Sequence, residues 1–114
     1  MTISIRAEAG TAARLDSMAA GRPIVIDHFA SRRCGVTIGD LRVRFGADLG
    51  ETRVTDAEPI AGLPVVVEDD LVKLLAEGSS LRVVGPSFAP RLAVSLDRPE
   101  AWLDFLHTHP HSRR

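Results

Sequence analysis

The sequence predicts an α+β domain, mostly β, with mixed or antiparallel sheets of sandwich or barrel-like form and two helices. Three observations lead there. Short runs rich in Val, Ile and Leu recur along the chain, among them Ile24–Ile26, Val65–Val67 and Leu81–Val84. Two stretches, 7–20 and 71–77, carry their apolar residues at helical spacing instead. Gly, Pro and Asp punctuate the intervals where chain reversals belong.

Taken in order, Ile3 and Ile5 alternate with polar residues as a short strand. AEAGTAARLDSMAA then reads as a helix with Ala12, Leu15, Met18 and Ala19 on one face, weakened at its start by Gly10 and ended by Gly21. Pro23 to Phe29 follows as a strand with Ile24, Ile26 and His28 on one side. The polar stretch Ala30 to Gly35 reads as a loop. Val36 and Ile38 then share one phase, and Leu41, Val43 and Phe45 the opposite one. Gly39-Asp40 accounts for the flip as a two-residue hairpin turn, and a bulge accounts for it equally. Residues 46–62, rich in Gly, Asp, Glu and Thr, read as a mobile segment with a short edge strand around Thr52 to Thr55.

The segment GLPVVVEDDLVKLLAEGSSLRVV, Gly62 to Val84, is the most strongly specified. Val65–Val67 form a strand, and Asp69 or Asp70 caps a helix whose apolar stripe is Leu71, Leu74 and Leu75. Gly78 ends that helix, and Leu81–Val84 form the next strand. RLAVSLDRPEAWLDFL reads as two last strands around a turn at Asp97 to Pro99, with Trp102 in the core beside Phe105 or Phe88. One domain over residues 1–106 and a flexible His/Arg tail over 107–114 are therefore expected.

The 114 residues include 14 basic and 15 acidic groups, a near balance that recruits neither nucleic acid nor an anionic membrane through overall charge. The one cysteine excludes an internal disulfide and fits a reducing, cytoplasmic setting. The opening residues lack a signal-peptide pattern, and no apolar run approaches roughly 20 residues, so no membrane span is expected.

With that order of elements, the chain resembles the HesB-like family, the fold of the A-type iron–sulfur carriers. GLPVVVEDDLVKLLAEGSSL matches a G-V-P-V-V-V-D…L-x-x-L-x-G-x-x-L segment, Cys34-Gly35 stands in the place of a cysteine loop, and ISIRAEAGTAARL stands at the start. The ending SLDRPEAWLDFL is similar to that of small HesB-related bacterial proteins whose function is uncharacterised. A carrier's cluster needs three thiolates, one from the loop and two from a C-terminal Cys-x-Cys pair, and only Cys34 is present. The resemblance therefore implies a non-enzymatic binding or adaptor protein that has lost cluster ligation and works through a protein partner or a homodimer built on an exposed strand edge.

A few residues carry chemistry. Cys34 lies beside Arg32 and Arg33, which favour its thiolate, and His28 precedes it by six residues. The pair Cys34 and His28 is the candidate ligand set for Zn, Fe or, with a partner chain's ligands, an iron–sulfur cluster, although no cofactor is the leading expectation. Cys34 alone is the candidate for a thiol-based redox sensor. Arg32 and Arg33, with Arg42 and Arg44 nearby, are the candidate site for a carboxylate or phosphate, while Arg42 and Arg44 also read as the solvated face of a strand. Asp97, Glu100 and Asp104 read as surface charge, and His107, His109 and His111 as a loose metal-binding run in the tail. No phosphate loop, Ser/His/Asp order or HExxH helix occurs, so no catalytic residue is assigned.

Overall fold

A computed structural model describes residues 3–34, 36–46, 50 and 52–108; for Asp16, Arg32, Arg33 and residues 36–38 the description is limited to the backbone. Among these residues the chain forms seven strands in two mixed sheets and three helices.

The larger sheet has the order β3-β2-β5-β4, with β2 spanning Ile24–Arg33, β3 Val36–Phe45, β4 Val54–Ile60 and β5 Leu63–Glu68. Strands β2 and β5 run parallel, Ile26 opposite Val67, whereas β3 and β4 are antiparallel to their neighbours. The smaller sheet has the order β1-β6-β7, with β1 at Arg6–Ala7, β6 at Ser79–Val84 and β7 at Arg91–Leu96. Strand β1 is parallel to β6, and β7 is antiparallel to it. The N-terminal segment joins the two sheets on one side: Ile3 bridges Ala57 of β4, and the Glu58 N–H donates to the Ile3 carbonyl at 2.8 Å. On the other side β3 and β7 lie next to each other without a ladder between them. Ile3, Ile5, Leu15, Ile26, Val67 and Leu81 belong to the core enclosed in this way.

Helix α1, Thr11–Ala19, starts directly after Gly10, which at φ +83° takes the left-handed conformation a non-glycine residue resists. It buries Thr11, Leu15 and Ala19 at helical spacing and leaves the expected Ala12 exposed. Helix α2, Val72–Ala76, is reached through a 3₁₀ turn at Asp69–Leu71. Leu71, Leu74 and Leu75 are buried as their spacing requires, and Lys73 and Glu77 are exposed. The expected carboxylate cap is not made: Asp69 Oδ1 accepts instead from the Thr55 hydroxyl at 2.7 Å.

Three expectations are corrected. Ala30 to Arg33 is not loop, because β2 continues through it, paired residue for residue with β3 as far as Arg33 opposite Val36. The reversal therefore falls after Arg33, at Cys34 with φ +53°, and Gly39-Asp40 is neither a turn nor a bulge. Gly39 is there for closeness. A Cβ at Gly39 would lie 2.6 Å from the Phe29 carbonyl oxygen and 2.8 Å from Leu106 Cδ2. Finally, AWLDFL is not a strand but part of a third helix, α3, Glu100–Thr108. Pro99 precedes its first residue, and Ala101, Trp102, Phe105 and Leu106 repeat at the three-to-four spacing that turns one stripe inward. His107 and Thr108 belong to this helix, while His109 and His111 lie outside the described residues.

Candidate functional site

The inner face of β2 carries Ile24, Ile26 and His28 in succession, and the parallel strand β5 ends beside His28 with Glu68. Glu68 Oε1 accepts two hydrogen bonds from His28, one from its backbone N–H at 3.2 Å and one from ring Nδ1 at 2.6 Å. The pair is deeply set, with side-chain exposures of 2% for His28 and 17% for Glu68. In the neutral tautomer that directs Nδ1–H at the carboxylate, Nε2 carries the free lone pair. Nε2 is buried and has no hydrogen-bond partner among the described residues.

Helix α3 closes the site. Phe105 meets the imidazole edge to face at a centroid distance of 4.9 Å, Trp102 approaches it at 6.3 Å, and the two aromatic rings stack on each other at 5.3 Å. A carboxylate-oriented histidine with an open Nε2 is the arrangement of a general base or metal ligand. Here its surroundings are aromatic. Phe105 also lines a groove of about 740 Å³ between α2 and α3, bordered by Asp69, Asp70, Lys73 and Arg98.

The two residues read as metal ligands stand apart. Cys34 is exposed at the tip of the β2–β3 hairpin, six residues beyond His28 along an extended strand, a separation of roughly 20 Å. Among the described residues no group of three or more His, Cys, Asp or Glu is placed to hold a metal. Arg32 and Arg33 end β2 with their backbones opposite Thr37 and Val36, and their side chains lie outside the described residues.

Arg42 and Arg44 are more than a solvated face. Asp27, 1% exposed, sits opposite Arg42 on the outer face of the larger sheet. Arg42 grips it with two bonds, Nε to Oδ1 at 3.1 Å and Nη2 to Oδ2 at 2.9 Å, and Arg44 approaches Oδ2 at 3.6 Å. A carboxylate within an otherwise apolar strand was the signal for this cluster, because a buried charge needs a cation. Glu68 had no comparable signal, since its distance from His28 is closed only by strand pairing.

Asp97, Glu100 and Asp104 are exposed, and the first two have arginine neighbours. Asp97 pairs with Arg6, and Glu100 Oε1 accepts from Arg98 Nε at 3.2 Å. The Glu100 carboxyl is held below its usual value, first by a backbone hydrogen bond at its own residue and then by Arg98. No protein-family model matches this chain, and no curated protein or solved structure matches it either.

Proposed function

We propose that this chain is a HesB-like binding or adaptor module that ligates no cluster of its own. The observation that carries the reading is Phe88. Its side chain is 87% exposed in the β6–β7 hairpin, between Pro86 and Pro90, and the turn is closed by the Ala89 N–H donating to the Pro86 carbonyl at 3.0 Å. An aromatic ring displayed on a segment stiffened by two prolines loses little freedom on binding, so its apolar surface goes almost wholly into contact with a partner. Cys34 supports the reading from the opposite direction, because one thiol remote from His28 leaves a cluster without ligands from a single chain.

The partner tested first is a second copy of the chain. Light scattering over a wide concentration range is expected to show a concentration-dependent dimer that Phe88→Ser abolishes. A wild-type chain that stays monomeric removes the homodimer, and a dimer untouched by Phe88→Ser removes Phe88 as its contact. A second reading, metal or cluster binding through Cys34 completed by a partner chain's ligands, is favoured by the exposure of Cys34 at a hairpin tip. It requires iron, sulfide or zinc to co-purify anaerobically and to be lost in Cys34→Ser.

A further inference from the structure

Where β3 and β7 run side by side, the two sheets leave a cleft of about 340 Å³ whose lining includes Met18, Arg22, Val43, Phe45, Arg91 and Leu92. Among the described residues its walls are apolar, both of its charged residues are arginines, and no carboxylate lines it. The volume falls within the roughly 300–1,000 Å³ of small-ligand sites and is too small to seat the surface of a folded partner.

Arg22 is fixed in position. Its Nε donates to the Ala19 carbonyl at 2.9 Å and its Nη2 to the Met18 carbonyl at 3.3 Å, and its guanidinium lies over the Phe45 ring at 5.6 Å. The last carbonyls of α1 thereby use part of the fork and aim the rest, since a guanidinium carries more N–H donors than these two bonds consume. Among the described residues neither Arg22 nor Arg91 forms an ion pair. Two cations against apolar walls without a counter-charge favour a ligand that brings its own anion together with an apolar body.

We propose that this cleft binds small carboxylates with an apolar body, the carboxylate meeting Arg22 and Arg91 and the body lying against Met18, Val43 and Leu92. The site does not depend on Phe88 or on self-association. The test is an amide NMR titration of the full chain with three probes of equal length: octanoate, octanol and octylammonium. Octanoate is expected to shift the amides of Met18, Val43, Phe45 and Leu92 saturably and to bind at least about tenfold more tightly than octanol, with octylammonium giving no saturable shift. Because Arg22 also holds the end of α1, Arg91→Gln is the variant to read first. It should weaken octanoate several-fold and leave octanol unchanged, and Val43→Trp, which fills the cleft, should abolish both. Equal affinity for octanol and octanoate, saturable shifts that lie elsewhere, or no saturable shift at millimolar octanoate each overturn the proposal. Cleft amides that move with protein concentration and not with octanoate overturn it too, and assign the cleft to a second copy of the chain.

Discussion

Asp27 sits in the middle of β2 with its side chain 2% exposed, under two arginines whose side chains remain 38% and 39% exposed. Its carboxylate is out of water and its cations are half in it, so the pair's stability rests on geometry and on the low polarity around Asp27 more than on bulk attraction. Arg42→Ala is expected to cost about 1–3 kcal/mol in a denaturant melt, because it leaves a buried carboxylate short of its bidentate partner. Replacing both members, as Asp27→Val with Arg42→Thr, should cost less than Arg42→Ala alone. A double variant that is worse than the single one would show that the arginine packs rather than compensates charge. His28 poses the related question for a buried ring. Glu68 orients one nitrogen, and the other is buried against Phe105 and Trp102 with no hydrogen-bond partner among the described residues.

At the scale of single elements, α2 shows how little length a helix needs once packing holds it. Five residues are too few for a stable isolated helix, its N-terminus has no side-chain cap, and at its C-terminus only the Ser79 hydroxyl donates to the Leu75 carbonyl at 3.0 Å, so its stability comes mainly from burying Leu71, Leu74 and Leu75. Leu74→Ala and Leu75→Ala are each expected to destabilise by about 2–5 kcal/mol, whereas Lys73→Ala should change stability by less than about 0.5 kcal/mol. Equal losses from the three variants would mean that this stripe does not face the core. Glu77, four residues after Lys73, pairs with Arg98 at 3.9 Å, so the ion pair links α2 to the start of α3. Helix α3 in turn explains Gly39. Leu106 and the Phe29 carbonyl occupy the space where a side chain at position 39 would stand.

For the whole molecule, the decisive feature is the N-terminal segment, which touches both sheets within a few residues. Ile3 bridges β4, Arg6 and Ala7 pair with β6, and Ile3 and Ile5 are 4% and 5% exposed. Ile5→Ala is expected to cost about 2–5 kcal/mol, as for a core position, and Ile3→Ala a similar amount. Leu103→Ala, on the exposed side of α3, should cost less than about 0.5 kcal/mol. Hydrogen exchange should rise along both β4 and β6 in the Ile variants, since one segment covers both edges. If Ile5→Ala costs no more than Leu103→Ala, the segment does not hold the sheets together.

The amino-acid order alone determined what depends on neighbours in sequence. The stripe of α2, the strand Val65–Val67, the shared phase of Ile24, Ile26 and His28, and the α+β class with mixed sheets could all be read from periodicity and turn residues. Where a strand continues through polar residues, or a glycine is needed for space and not for a turn, the cause lies across the fold and leaves no local mark. Ala30 to Arg33 is strand because β3 pairs with it, Gly39 is small because α3 crosses it, and Glu68 reaches His28 because two strands forty residues apart lie parallel. The helical spacing of α3 was present in the sequence, but in so short an apolar stretch a strand and a helix look alike until one face is packed. Tertiary structure alone decided the separation of Cys34 from His28 and the cleft at Arg22, because both depend on which strands become neighbours.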